Sequence, residues 1–138
     1  MRFLDTNVLL YAASQDKREL KKARLALTLL DSKDLGLSVQ VLQEFYVQAT
    51  RAERGDAMTH EQATLLIESF LRFRVQDVTM AIMRAALETK HKFRLAYWDA
   101  AIVEAARALG CHTILTEDLS HGQDFGGVVV ENPFRRIA

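Results

Sequence analysis

The stretch MRFLDTNVLLYA, residues 1–12, places a carboxylate at Asp5 between two apolar segments. Residues 1–4 predict a short buried strand, and the apolar residues within 6–13 follow the spacing of a helix. An aspartate at such a junction can have one of two roles. It is either a cap for the helix that follows, or the first acid of an active site. The remainder of the chain is needed to choose between them.

Strand and helix patterns alternate along the rest of the chain. Gly55 and Gly110 predict helix ends, and Thr59 with Gln62 predicts a capping box. The predicted strands are residues 1–4, 35–39, 74–78, 112–116 and 128–130, and the predicted helices are 6–13, 18–30, 40–54, 59–73, 80–91 and 98–109. This alternation predicts a parallel sheet with right-handed crossovers and helices on both faces. We therefore expect an α/β fold, a three-layer α/β/α sandwich with a small parallel sheet.

Length and composition favour one ordinary globular domain spanning residues 1–138. The single cysteine excludes a disulfide within the chain and favours a reduced, cytoplasmic setting. The apolar runs are too short to span a bilayer, and the N-terminus lacks the features of a signal peptide. Lys and Arg total 18 against 18 Asp and Glu, which argues weakly against nucleic-acid binding by bulk charge.

Four acidic residues are predicted to converge on one edge of this sheet. Ligands gather at the carboxyl ends of parallel strands, where the N-termini of the returning helices also lie. Asp5 follows the first strand, and Glu44 lies just over one turn into the helix after the second. Asp99 lies in the first turn of the helix before the fourth strand, and Asp118 comes two residues after that strand. This convergence is the strongest functional signal in the chain.

Each acid also has an ordinary structural explanation. Glu44 is explained equally by a solvated helix flank, and Asp99 by favourable interaction with the helix dipole. Asp118 is explained by an exposed turn. Asp99, however, is one of few charges on a helix that is apolar nearly all round, which predicts a buried helix. At the first junction we expect Thr6 to cap the helix and Asp5 to remain free for a ligand.

Unpaired carboxylates gathered in one place repel each other, and their pKa values rise unless a cation neutralises them. Mg²⁺ and Mn²⁺ prefer oxygen ligands and meet that need. Such an ion activates water and stabilises a phosphate ester under in-line attack. The four acids therefore predict metal-dependent hydrolysis of a phosphate ester.

Four segments carry a resemblance to a known family. They are FLDTNVLLYA at 3–12, VQVLQEFYVQAT at 39–50, YWDAAIVEAA at 97–106 and TILTEDLSHGQDFGGVVVENPF at 113–134. In order and spacing the chain resembles PIN-domain ribonucleases over essentially its whole length. It is particularly similar to the VapC-like toxins of bacterial and archaeal toxin–antitoxin pairs.

The resemblance implies a PIN-like α/β/α domain that cuts RNA with one or two Mg²⁺ or Mn²⁺ ions. It implies an acidic quartet made by Asp5, Glu44, Asp99 and Asp118, with Glu117 as the alternative fourth acid. By the same resemblance Thr6, Asn7 and Thr116 orient ligands or water. It further implies a homodimer and an antitoxin partner whose tail enters the acidic groove.

A basic run, Lys90 to Arg94, precedes Asp99 in the sequence. Lys90, Lys92 and Arg94 are candidates for contacts with RNA phosphates. The alternative is a solvated helix end, where cations are favoured by the helix dipole. Cys111 and His112 cannot form a nucleophile–base pair, because neighbours on a strand point to opposite faces.

The sequence leaves two other function classes open. One is a different phosphoryl-transfer domain, of the receiver or phosphatase type. Receiver domains carry a lysine after the last strand, but this chain has Glu131-Asn132-Pro133 there. Phosphatases with an aspartate nucleophile carry a second aspartate two residues further on, but this chain has Asn7 there. The other is a non-catalytic, PIN-like binding module. The sequence carries no readable code for the identity of an RNA target.

Overall fold

The structure, a computed structural model, describes residues 1–137. Its strands are β1 (Arg2–Leu4), β2 (Leu35–Ser38), β3 (Arg74–Gln76), β4 (Thr113–Leu115) and β5 (Val129–Glu131). Its helices are α1 (Thr6–Ala13), α2 (Leu20–Leu30), α3 (Val39–Ala49), α4 (His60–Phe70), α5 (Met80–Phe93) and α6 (Tyr97–Ala108). A short 3₁₀ turn, Lys17–Glu19, precedes α2.

The five strands form one parallel sheet in the order β3-β2-β1-β4-β5. The chain moves outward from β1 through β2 to β3, then returns to the other side of β1 to form β4. Right-handed crossovers therefore place α1 to α4 on one face and α5 with α6 on the other. Consistent with this, α1 packs on α2 and α3, whereas α5 packs on α6. The predicted α/β architecture is confirmed.

The strand order reverses between β1 and β4, and ligands of such sheets bind outside the carboxyl ends of strands at this point. Leu4 and Leu115 are paired as the last residues of the two strands. The residues that follow them, Asp5 and Thr116, are therefore neighbours, and the Asp5 amide donates to the Leu115 carbonyl at 3.1 Å. The topology thus builds its candidate ligand edge from two segments that are far apart in sequence.

The hydrophobic core lies directly beneath this edge of the sheet and holds its residues in place. Phe3 and Leu4 on β1 and Ile114 and Leu115 on β4 are all fully buried. Helix α6 is buried at every position from Ala100 to Ala106, as its apolar sequence predicts. Rigid, densely packed strands beneath the edge keep the residues that follow them in fixed positions.

Helix α3 ends at Ala49, so the predicted end at Gly55 is wrong. Thr50 is the C-cap, and its amide and its hydroxyl both donate to the Tyr46 carbonyl, at 3.1 and 2.7 Å. Beyond it the sequence RAERG has a single apolar residue, Ala52, to pack on the core, and the chain turns back so that the Met58 amide bonds the Ala49 carbonyl at 2.8 Å. The predicted capping box of Thr59 and Gln62 is confirmed at the start of α4.

Among residues 1–137 no helix is long and apolar enough to cross a bilayer.

Candidate active site

Asp5 both caps helix α1 and faces the candidate site. Its Oδ1 accepts the Thr6 amide at 2.7 Å, and its Oδ2 accepts the Thr116 hydroxyl at 2.8 Å. The expectation that Thr6 would cap α1 is therefore wrong, because Asp5 holds the extended backbone conformation of an N-cap. An ionised carboxylate offers about four lone-pair positions, so these two bonds leave acceptor capacity for a ligand.

Thr6 instead orients Glu44. The Thr6 hydroxyl donates to Glu44 Oε2 at 2.9 Å, and the Gln40 amide donates to Glu44 Oε1 at 2.9 Å. The same Gln40 nitrogen donates to the Trp98 carbonyl at 3.1 Å, which ties α3 to the first turn of α6 beside Asp99. Sequence reasoning missed Gln40, although its place one turn before Glu44 on the same helix face is the signal that could have found it.

Asn7 joins α1 to the loop after β4. Its Nδ2 donates to Thr116 Oγ1 at 2.9 Å and to Asp118 Oδ2 at 3.1 Å, while its Oδ1 accepts the Glu117 amide at 3.4 Å. The Asp118 amide also donates to Thr116 Oγ1, at 3.0 Å. All three supporting residues, Thr6, Asn7 and Thr116, therefore contact the acids. These bonds hold the exposed Asp118 beside the buried Asp5.

Glu117 turns away from the other acids. Lys22 on α2 donates to Glu117 Oε2 at 2.9 Å, and the Tyr11 hydroxyl donates to Glu117 Oε1. Lys22 also lies over the Tyr11 ring, 4.9 Å from its centroid. Glu117 is thus neutralised by its own lysine, and Asp118 is the acid of this loop that lies with Asp5.

The electrostatics of the site are acidic. Burial raises the pKa of Asp5 to about 7, with further upward contributions from the charges of Asp118 and Glu44 and opposing ones from its bonds to Thr6 and Thr116. Burial also raises the pKa of Asp99, and the same two carboxylates raise it further. The neighbouring charges that raise the pKa values of Asp5 and Asp99 are thus those of carboxylates, and such a donor set suits a hard divalent cation.

The carboxylates do not yet point at a common centre. Within the described part of the chain, no three His, Cys, Asp or Glu side chains are close enough together to hold one metal ion. Hydrogen bonds from Thr6, Asn7 and Thr116 instead hold three of the acids around the edge. The residues fit a divalent cation by their chemistry and convergence, and ion binding would require their side chains to close in.

The basic run lies at the end of α5. Lys90 and Lys92 are exposed in its last turn, and Arg94 is its C-cap in the left-handed conformation, with φ 57°. Lys92 lies over the Phe93 ring, 5.3 Å from its centroid. These positions are those of cations at a helix C-terminus. Their contact with RNA phosphates stays a prediction.

Comparison with known proteins gives a family and a set of related folds. The family model described as "PIN domain" matches residues 2–122. No curated protein sequence matches the chain. Of the solved structures, a toxin–antitoxin complex from Klebsiella pneumoniae is 19% identical with a TM-score of 0.70, covering 96% of this chain and 98% of that one. The Mycobacterium tuberculosis toxin VapC20, described as cleaving the sarcin–ricin loop, is 21% identical with a TM-score of 0.64, covering 86% and 92%. VapBC2 from Rickettsia felis, bound to a DNA fragment from its promoter, is 19% identical with a TM-score of 0.63, covering 95% and 97%.

Proposed function

The chain belongs to the PIN domain family, and from that premise we propose that it is a Mg²⁺- or Mn²⁺-dependent endoribonuclease, the toxin of a toxin–antitoxin pair. One observation carries this proposal. Asp5, Glu44, Asp99 and Asp118 come from four separate segments to the point where the strand order reverses, and the charges of Asp118 and Glu44 raise the pKa values of Asp5 and Asp99.

We assign metal binding to these four acids. Bound there, Mg²⁺ or Mn²⁺ would activate a water molecule and neutralise charge on the phosphodiester under attack. The chain's own polar residues place the ligands. Thr6 and Gln40 hold the two oxygens of Glu44, and Thr116 holds Asp5. Asn7 holds Asp118 toward the site, while Lys22 keeps Glu117 out of it. These bonds fix the starting positions of the acidic side chains, which would still have to close in around the ion.

The proposed partners follow from the same role. RNA is the substrate, and an antitoxin protein is the inhibitor, with its tail in the acidic groove. The Klebsiella neighbour is a toxin–antitoxin complex, and the Mycobacterium neighbour is described as a toxin that cleaves the sarcin–ricin loop, which supports this assignment. We further propose a homodimer in the cytoplasm, and that Lys90, Lys92 and Arg94 contribute contacts to RNA phosphates.

Cleavage of a labelled single-stranded RNA over a Mg²⁺ and Mn²⁺ titration tests the function. The wild-type protein should cleave only with divalent ions present, and Asp99→Asn should slow cleavage at least about 100-fold. Asp31→Asn is the matched control, since Asp31 is exposed at the end of α2, at the opposite edge of the sheet. Cleavage that persists in EDTA, or is equal in Asp99→Asn and wild type, would contradict the proposal.

A further inference from the structure

A cavity of about 300 Å³ opens between α3 and α6, directly beside the acids. Its lining consists of Gln40, Gln43, Glu44, Val47, Gln48 and Trp98. Glu44 belongs both to this cavity and to the acidic group, and Trp98 is the residue before Asp99. A ligand seated in the cavity would therefore be continuous with one at the proposed cleavage site.

Trp98 presents a large aromatic surface to this cavity. Its side chain is 64% exposed, whereas most large apolar side chains of the chain are buried. The Tyr97 and Trp98 rings meet edge to face, with centroids 5.0 Å apart and planes at 80°. The Trp98 carbonyl is held by Gln40 at 3.1 Å. Gln40 thus holds the Trp98 backbone and Tyr97 packs on the indole, while much of the indole surface remains available for stacking.

The opposite wall is one face of α3. Gln40, Glu44 and Gln48 recur every four residues, so they align along the helix. Gln40 is engaged with Glu44 and Trp98, while Gln43 is exposed and Gln48 half-buried. An amide offers both donors and acceptors, the groups that read the edges of bases.

The charge of the lining selects the kind of ligand. It contains no cation, and its one charged group, Glu44, repels phosphates and carboxylates. A neutral, planar group with hydrogen-bonding edges fits an indole facing a row of amides. Single-stranded RNA offers such groups, because its unpaired bases stack on aromatic side chains and expose their edges.

On the basis of the proposed function, we propose that this cavity binds an unpaired nucleobase beside the cleaved bond, with Trp98 stacking on the base and Gln43 and Gln48 contacting its edge. Duplex RNA is excluded from this site because its bases are already stacked and paired. The cavity would therefore set a preference for single-stranded regions and for the base at one position.

Trp98 is the only tryptophan in the chain, so its intrinsic fluorescence reports directly on this site. Short homopolymeric RNAs of each base are titrated in EDTA and, in parallel, in Ca²⁺, with a duplex RNA and inorganic phosphate as comparisons. Saturable quenching by single strands, with little change from duplex or phosphate, is the expected result. Fluorescence quenching requires no cleavage of the RNA. A protein that binds bases but does not cleave RNA is therefore distinguished from one that cleaves RNA but binds no base in this cavity.

Substitutions then test the stacking. Trp98→Leu should weaken binding of labelled single-stranded RNA, measured by anisotropy, about tenfold, and Trp98→Phe should weaken it less. Gln43→Leu should change the ratio of dissociation constants between two homopolymers. Leu65→Ala is the control, since Leu65 is 74% exposed on α4 and lies outside the cavity lining.

Three results would overturn the proposal. The first is unchanged RNA affinity in Trp98→Leu, and the second is equal quenching by duplex and single strands. The third is a Trp98 signal that follows protein concentration without RNA and coincides with dimerisation in sedimentation, since the cavity would then be an interface between copies.

Discussion

Replacing Asp5 with Asn should stabilise the metal-free protein at neutral and alkaline pH while abolishing its proposed metal binding. Asp5 is only 6% exposed, and burial raises its pKa from 3.8 to about 7. The ionised carboxylate is therefore less stable in the folded protein than in the unfolded chain. Asparagine carries no charge and is itself a favoured N-cap, so its Oδ1 can still accept the Thr6 amide.

The magnitude follows from the difference between a pKa of 3.8 and one of about 7, which corresponds to about 4 kcal/mol. Between these two values the folded state binds more protons than the unfolded state, so the free energy of unfolding falls as pH rises. The loss from pH 5 to pH 8 amounts to about 3 kcal/mol. The new amide would face Thr116 Oγ1, which already accepts two hydrogen bonds, at a cost of about 1 kcal/mol. The net gain at pH 8 is then about 3 kcal/mol.

Urea denaturation in EDTA at pH 5, 6, 7 and 8 measures this effect for the wild type, Asp5→Asn and the surface control Asp31→Asn. The wild type and the control should lose stability across this range, and Asp5→Asn should lose much less. Adding Mg²⁺ at pH 8 should stabilise the wild type by mass action but leave Asp5→Asn unchanged. If the free energy of unfolding changed with pH in the same way in the wild type and in Asp5→Asn, the reasoning would be refuted.

Three further predictions concern the surroundings of the site. Asp118→Asn should slow RNA cleavage at least about 100-fold, whereas Glu117→Gln should retain activity within about tenfold. If kinetic assays showed the larger loss of activity in Glu117→Gln, the fourth acid would be Glu117. Thr116→Val should lower the free energy of unfolding in urea by about 2–3 kcal/mol, because two donors lose their acceptor, and Thr116→Ser should largely retain stability. Arg94→Gly should raise thermal stability by roughly 0.5–1 kcal/mol by relieving its left-handed backbone, and a lower melting temperature than Arg94→Ala would contradict this.

The sheet and the convergence of the acids could be predicted because they depend on local patterns and general topology. Apolar spacing identified the strands and helices, and a parallel sheet gathers the ends of its strands at one edge. The residues after β1 and β4 then had to be neighbours. The end of α3 could not be predicted in the same way, because the helix ends at Ala49 with Thr50 as its C-cap, ahead of the expected end at Gly55.

The orientation of individual side chains depends on distant contacts that spacing cannot give. Glu117 and Asp118 are adjacent and chemically similar, and they are separated by the interaction of Glu117 with Lys22 on α2. Capping and facing the site are not alternatives for Asp5, because one carboxylate has two oxygens: one accepts the first amide of the helix and the other accepts the Thr116 hydroxyl. Choosing between such roles requires atomic positions.

The most direct test of the metal site is the position of Mn²⁺ in a crystal of the protein, located by its anomalous scattering. The proposed nuclease predicts an anomalous peak within coordination distance of carboxylate oxygens of Asp5 and Asp99, with Glu44 or Asp118 completing the ligands and the peak lost in Asp99→Asn. A protein that binds no Mn²⁺ at this edge of the sheet, or binds it unchanged in Asp99→Asn, would contradict the account.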